Sequence, residues 1–547
     1  MLLTFRKLSS HLPEMLRSGI GLTSAIYFAK KRRIMARLDG IQRALALRPL
    51  DSLVELERKL QADLNCVLSQ EEELWALKSR VNWLISSNQN TAFFHVSTLV
   101  RRRRKSIISI MSKKGERVHD EMAVKEVIRD GFSELYTSSL SYSPLEILAA
   151  LAWQTRLSDE KRDNIDKAVS EEEIKSGLWS LKAFKALGPG PDGLHVGFFQ
   201  RFWLTVGTSV KEEVIKNFAM REVPKEVNKT LIVLIPKIPG PETLSNYRPI
   251  SLCNTIYKIV SKILVARLRP LLGNIISPLQ SAFVPGRRGT DNAIFAQELI
   301  HTISKKKGRS GFMAIKIDLE KAYDKLEWSF IKSMLSRFNF PENLIELMMS
   351  CISSVSTSIL FNGGSLDSFQ PTRGIRQGDP LSPYIFILCM ELLGQLIQEK
   401  CEAKVWYPVK ASRSGPSFSH LFFADDLMFF AKANAENCVA ISEVLDNFCS
   451  LSGQSVSEAK SRVYFSPNID PSDKEALSDI LGFQQTECLG KYLGFPIKHK
   501  GNSNQDFNFV FDRVKSKLAG WKANLLSMAG RVVLVQASSS AIPAYIM

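Results

Sequence analysis

The sequence predicts an α+β protein made of several packed units, and three observations carry that expectation. At 547 residues the chain is too long for one compact core. From Ser170 onward, short helical patterns alternate with β-branched runs such as Leu231-Ile-Val-Leu-Ile235 and Phe312-Met-Ala-Ile-Lys-Ile317. Hydrophobic residues make up 45% and charged residues 23%, a balance that supports folded cores and excludes wholesale disorder.

In chain order, the first 38 residues hold eight Lys or Arg and one acid, Glu14, a composition shared by basic helical flanks and by organellar transit peptides. The basic flank is the preferred reading. Leu53, Leu56, Leu60, Leu64, Val67, Leu74, Leu77, Val81 and Leu84 recur mostly at spacings of three and four, which predicts a long amphipathic helix from Ser52 to about Ser86. The run Arg101-Arg-Arg-Arg-Lys105 follows; such a run is a solvated face, a nuclear signal or a nucleic-acid contact. Gly188-Pro-Gly-Pro-Asp-Gly193 is a turn cluster, and Lys305-Lys-Lys-Gly-Arg-Ser310 is a polar break between two subdomains. The pattern is helical again from Phe509, with a helix start at Ser527, and the chain is expected to stop partway through that helical region.

Lys and Arg outnumber Asp and Glu by 72 to 55, a net charge of +17 that points to a polyanionic partner, nucleic acid before a membrane surface. No apolar run reaches the roughly 18 to 20 residues that span a bilayer; the longest, Ile385 to Leu393, is interrupted by Glu391. No membrane partner is expected. The eight cysteines show no CxxC or Cys/His spacing, so they read as buried thiols in a reducing compartment.

Asp318 follows an apolar run, where a buried strand ends and exposes its next side chain. Asp425 and Asp426 lie between Leu421-Phe-Phe-Ala424 and Leu427-Met-Phe-Phe-Ala431, which predicts a hairpin whose tight turn is the acidic pair. Alone, such a pair reads as a solvated turn. Inside so apolar a segment, two adjacent carboxylates are costly unless a cation compensates them. Phosphoryl transfer to a hydroxyl uses two divalent cations about 3.5–4 Å apart on oxygen ligands, and Asp318 and Asp425 would bridge them with Asp426 alongside.

With these residues placed, the sequence resembles the reverse transcriptases of non-LTR (LINE-type) retrotransposons, particularly plant ones, over roughly residues 70 to 547. Ile317-Asp-Leu-Glu-Lys-Ala-Tyr-Asp324, Gly374-Ile-Arg-Gln-Gly-Asp-Pro-Leu-Ser-Pro383 and Phe423-Ala-Asp-Asp426 are similar to the family's three palm motifs, in the family's order. Lys460 within Glu458-Ala-Lys-Ser461 and Tyr492-Leu-Gly-Phe-Pro496, similar to a primer grip, follow. Upstream, Leu234-Ile-Pro-Lys237, Tyr247-Arg-Pro-Ile-Ser251 and Gln280-Ser-Ala-Phe-Val-Pro-Gly-Arg287 resemble fingers motifs. The resemblance implies a right-hand polymerase fold: a basic helical region at 1–159, fingers at 160–304, an antiparallel palm sheet backed by helices at 305–500, and the start of a helical thumb at 501–547.

The resemblance also implies roles. Asp318, Asp425 and Asp426 hold two Mg²⁺ ions, with Mn²⁺ as a substitute; Lys237 and Arg248 meet the incoming triphosphate; Tyr323 excludes a ribose 2′-hydroxyl by bulk. Gln377 and Gly378 face the nascent base pair, Lys460 protonates the pyrophosphate, Gly286 and Arg287 face template, and Tyr492, Leu493 and Gly494 grip the primer. Gly374 and Gly378 would let backbone approach a ligand, and Asp379 would cap a helix beginning at Pro380. A loop-to-helix junction alone accounts for the Gly and Pro residues but not for Arg376 and Gln377. Expected partners are an RNA template, a DNA primer and deoxynucleoside triphosphates, in the nucleus or cytoplasm.

The chain departs from the family at Ser87-Asn88, where a Gly-Asp pair is usual, and at 185–193, where Leu187 and Gly188 are extra. No endonuclease or ribonuclease H segment is discerned, so the chain is expected to extend a supplied primer without making one; the truncated thumb is expected to weaken its hold on the duplex and give short, distributive products. Two rival readings are a group II intron maturase-like protein and a catalytically weak remnant that binds RNA.

Overall fold

The computed structural model of the chain describes residues 29–79, 81, 91–138, 153, 155–183, 188–412, 414–497, 508–518 and 520–539. The basic leader before residue 29, Ser87-Asn88, Leu187 and the expected thumb onset at 501–507 lie outside the described residues. The chain divides into two compact units, one drawn from residues 1–107, 184–188 and 503–547, the other from 108–183 and 189–502.

In the first unit, a helix at 29–47 packs against α1 (Asp51–Ser79) through Ile34, Leu38, Ile41, Leu60 and Val67. Leu60 and Val67 belong to the apolar stripe that the spacing of three and four predicts. Lys31 and Glu71, 2.7 Å apart, pin the open end of the pair. α2 (Thr91–Lys105) buries Phe93 and Phe94 against Leu526 and Leu534, and carries Arg102, Arg103, Arg104 and Lys105 in its last turn, where cations complement the helix dipole. The helix expected from Ser527 runs Met528–Ser539, and the Ser527 hydroxyl accepts the Gly530 N–H.

The second unit contains two sheets. In one, β1 (Lys229–Pro236) pairs antiparallel with β2 (Tyr247–Cys253). Two long helices follow, α3 (Thr255–Ile275) and α4 (Gly289–Ser304). The polar break at 305–310 then leads into β3 (Phe312–Asp318), the central strand of the other sheet. β4 (Ser356–Phe361) returns to pair parallel with β1, and β5 (Gly364–Ser365) closes that four-stranded sheet. The first sheet therefore joins strands from the segments expected as fingers and as palm.

Buried α5 (Ser382–Glu402) precedes the acidic hairpin of β6 (His420–Phe423) and β7 (Asp426–Lys432); α6 (Ala435–Ser452), β8 (Arg462–Phe465) and β9 (Gln484–Gln485) complete the second sheet. Its order is β6-β7-β3-β8-β9, antiparallel except for the last pair. Met313, Ala314, Ile315 and Ile317 of β3 are all buried, because helices cover both faces. Ala314 faces a cluster with Leu299, Ile300 and Ile303 of α4, while Met313 Sδ lies 3.9 Å from Cys438 Sγ of α6. A strand buried on both sides needs a continuous apolar run, which is the pattern its sequence shows. The small hairpin of β10 (Lys491–Tyr492) and β11 (Phe495–Pro496) packs Tyr492 into the α4 cluster. The arrangement is an α+β polymerase-like fold, with palm-like sheets flanked by helices.

Candidate active site

β3 ends at Asp318 and β7 begins at Asp426, and the register pairs these two residues directly across the sheet. Phe423 pairs with Asp426, so the two-residue turn is Ala424-Asp425. The expected turn of Asp425-Asp426 is thus corrected by one residue: Asp425 sits in the turn and Asp426 opens the strand. The physical reason is Ala424, which takes the left-handed conformation at φ 55° that such hairpin turns demand. Three aspartates consequently stand at one end of the sheet.

Like charges directly opposite one another on a sheet repel. Burial and then Asp318 push the Asp425 carboxyl above the usual aspartate range, with Arg248 opposing. Burial and then Asp425 push Asp426 up as well, against Lys316. The Lys460 ammonium lies 3.4 Å from Asp318 Oδ1, the single ion pair to the three carboxylates among the described residues. The loop carrying Lys460 is fastened to Asp318: Ser457 N–H donates to its carbonyl at 2.8 Å, and Ser461 Oγ accepts its N–H at 3.2 Å.

Lys237 extends from the end of β1 and donates to the Ser245 carbonyl at 3.0 Å. Burial, then Lys460 and Arg248, depress its ammonium, while Asp324 and Asp318 oppose the shift. Three sequence-predicted cations thus act electrostatically around the acids. The Tyr323 ring stacks on Phe386 of α5 with centroids 4.7 Å apart, and its phenol is raised by burial and then by Asp425.

The 374–379 loop differs in detail from the sequence expectation. A Cβ on Gly374 would lie 2.5 Å from the Asp324 carbonyl oxygen and one on Gly378 2.9 Å from that of Ser251, so the close approach is to the chain's own backbone. α5 starts at Ser382, not Pro380; Asp379 accepts the Leu381 N–H at 3.0 Å just ahead of the helix, but it also accepts from Tyr257 and, at 2.7 Å, from Ser261, and pairs with Arg376. Arg376 has a structural task too, donating to Asn228, Thr230 and the Cys351 carbonyl and lying over the Tyr257 ring. Gln377 donates through Nε2 to both oxygens of Asp324, at 3.3 and 3.2 Å.

Asp324 was not singled out in the sequence, although it closes the first palm motif. It is 1% exposed and accepts Tyr136 Oη at 2.9 Å. Burial raises its pKa to about 6, against the Tyr136 hydrogen bond, Lys321 and Gln377. Tyr136, more than a hundred residues upstream, carried no sequence signal; its partner is visible only in three dimensions.

Of the expected template contacts, Gly286 sits at φ 82° in an exposed turn, while the Arg287 guanidinium is committed to the carbonyls of Ile276, Ser277 and Gln280. In the β10–β11 hairpin, Leu493 and Gly494 both take positive φ at the tip, whereas Tyr492 points into the core and is 1% exposed.

Among the described residues, no three His, Cys, Asp or Glu side chains converge as a ready-made metal cage. The donor chemistry nevertheless fits a hard divalent cation. Asp318, Asp425 and Asp426 offer only oxygen, and burial, then the neighbouring carboxylates, push the latter two above the usual aspartate range.

Residues 235–497 match the reverse transcriptase (RNA-dependent DNA polymerase) family. The uncharacterized 149 kDa protein of transposon TX1 from Xenopus laevis is 26% identical over 472 residues, 84% of this chain and 34% of the relative. A retrovirus-related Pol polyprotein of a type-2 retrotransposable element from Drosophila melanogaster is 28% identical over 297 residues, 54% of this chain and 26% of the relative. A similar polyprotein of a type-1 retrotransposable element from Popillia japonica is 26% identical over 297 residues, 54% of this chain and 39% of the relative. The chain spans between about a quarter and two fifths of the length of these relatives. The chain is thus similar over residues 235–497 to reverse transcriptases, and over about half of its length or more to proteins of transposons and retrotransposable elements.

Proposed function

We propose that this chain catalyses RNA-templated DNA synthesis, joining a deoxynucleoside triphosphate to a primer 3′-hydroxyl. The observation that carries the proposal is the meeting of Asp318, Asp425 and Asp426 at one sheet end, with Lys460 as the one ion-paired neighbour among the described residues. Asp318, Asp425 and Asp426 would hold two Mg²⁺ or Mn²⁺ ions, which supply activation of the hydroxyl and neutralisation of the charge on the leaving pyrophosphate.

The chain's own groups do the rest. Lys237 and Arg248 neutralise triphosphate oxygens that the carboxylate end of the sheet would repel. Lys460 stands where it can give a proton to the departing pyrophosphate. Tyr323, held flat by Phe386, blocks the space of a 2′-hydroxyl. Gln377 and Gly378 border the nascent base pair, Gly286 and Arg287 shape the template side, and Leu493 and Gly494, at the tip of the hairpin that buried Tyr492 anchors, hold the primer end. In this reading residues 160–304 act as fingers, 305–500 as palm and 501–547 as thumb, after a basic helical region at 1–159. The net charge of +17 suits an RNA template paired with a DNA primer, in the nucleus or cytoplasm.

Primer extension on poly(rA)–oligo(dT) with dTTP and Mg²⁺ tests the proposal. Template-dependent extension that disappears on chelation is the expected result; purified, folded protein that extends no primer with either Mg²⁺ or Mn²⁺ overturns it.

A further inference from the structure

The segment before α4 is built around one side chain. Arg287 holds the carbonyls of Ile276, Ser277 and Gln280, and both oxygens of buried Glu391 accept the Ser277 N–H at 3.1 Å. So fastened, Gln280 forms a parallel bridge with Phe422 on the open edge of β6, where Phe422 N–H donates to the Leu279 carbonyl and Ser281 N–H to that of Phe422. The Gln280 side chain, 1% exposed, then reaches the acidic hairpin. Its Oε1 accepts the N–H of Ala282 at 2.9 Å and the N–H of Ala424 at 3.1 Å. Both partners are donors, so the amide can face them only with its oxygen. Nε2 is buried without a hydrogen-bond partner among the described residues, so the acceptor is what the site uses.

Ala424 is the residue at φ 55°, immediately before Asp425. A non-glycine residue persists there only when its surroundings hold it. We propose that Gln280 is a positioning residue for Asp425: by gripping the Ala424 N–H, it fixes the left-handed turn and with it the direction in which the Asp425 carboxylate leaves the hairpin. The inference deepens the polymerase reading and rests on it for the role of Asp425. A residue that merely filled the core would be replaceable by any side chain of equal volume; Gln280 is replaceable only by one that offers an acceptor.

The test compares full-length Gln280→Met, similar in bulk and lacking the amide oxygen, with Gln280→Glu. The introduced carboxyl group is of similar shape and still offers an acceptor oxygen in the place of Oε1. Hydrogen–deuterium exchange at the Ala424 amide is read together with kcat and KM for dTTP on poly(rA)–oligo(dT). Gln280→Met is expected to speed Ala424 exchange by about tenfold or more, and to lower kcat by about thirtyfold with KM within about threefold. Gln280→Glu is expected to bring both within about fivefold of the parent protein, while thermal melting shows all three folded. Unchanged Ala424 exchange in Gln280→Met, or a Gln280→Glu protein no better than Gln280→Met, overturns the proposal. A parent protein that extends no primer refutes the polymerase reading instead, and the exchange comparison still decides whether Gln280 holds the turn.

Discussion

Five aspartates of the palm motifs divide into two groups that the protein treats in opposite ways. Asp324 and Asp379 are buried and filled with internal donors: Tyr136 and Gln377 for one, Tyr257, Ser261, Arg376 and the Leu381 N–H for the other. Asp318, Asp425 and Asp426 crowd together at an open sheet end, where Lys460 makes the one ion pair among the described residues. A carboxylate saturated from within ties the chain to itself. One left short of positive charge is available to cations from outside.

The largest way to break this division is to remove one open carboxylate. Asp425→Asn should lower primer extension by roughly three orders of magnitude, because ligands of one ion pair act together. Its melting temperature should not fall, since the lost charge was repelled by its neighbours. A folded Asp425→Asn protein that extends primers at near-parent rate contradicts the assignment.

The complementary change is Asp379→Asn, which leaves the Arg376 guanidinium buried without its counter-charge. It should cost about 3–5 kcal/mol in urea unfolding, the range for breaking a buried pair from one side. Loss of polymerase activity in this variant should follow loss of fold, and a variant of parent stability would show that Arg376 is held by its carbonyl and amide partners alone.

The contrast also has a pH signature. Burial lifts Asp324 from 3.8 to about 6, so between those values the native state binds more protons than the unfolded chain, and this group's contribution makes stability fall as pH rises. Asp324→Asn removes the contribution. The stability change between pH 4 and pH 6 should differ from the parent by about 1–3 kcal/mol, read by denaturant unfolding at each pH. Superimposable pH profiles would mean that Asp324 titrates normally in the fold.

How far these two groups could be told apart in the sequence follows from where their partners lie. β3 and the acidic hairpin were legible because a continuous apolar run ending in acid needs no distant information to be read. The exact turn was not, since Ala424 is set by Gln280, 144 residues away along the chain. Asp379 reads as a helix cap from its local sequence, and it does take the Leu381 N–H; its further partners, Tyr257 and Ser261, come from α3, more than a hundred residues upstream. Arg376 stood out in the sequence for the same reason, its partners Asn228, Thr230 and Cys351 being local only in space.

A smaller effect concerns Tyr323, which lies between the two groups and faces Asp425 electrostatically while stacking on Phe386. Tyr323→Val should reduce discrimination against ribonucleotides by roughly tenfold or more in steady-state incorporation, a few kcal/mol at most, while deoxynucleotide use drops modestly. Unchanged discrimination would leave Tyr323 as packing alone.

Binding of Mn²⁺ to the purified protein, followed by electron paramagnetic resonance, tests the division most directly, because it needs no turnover. Asp318→Asn and Asp425→Asn should each weaken Mn²⁺ binding by about tenfold or more, whereas Asp324→Asn should stay within about twofold of the parent. Equal affinity in all four proteins, or a loss confined to Asp324→Asn, would contradict the claim that the three open carboxylates are the cation site.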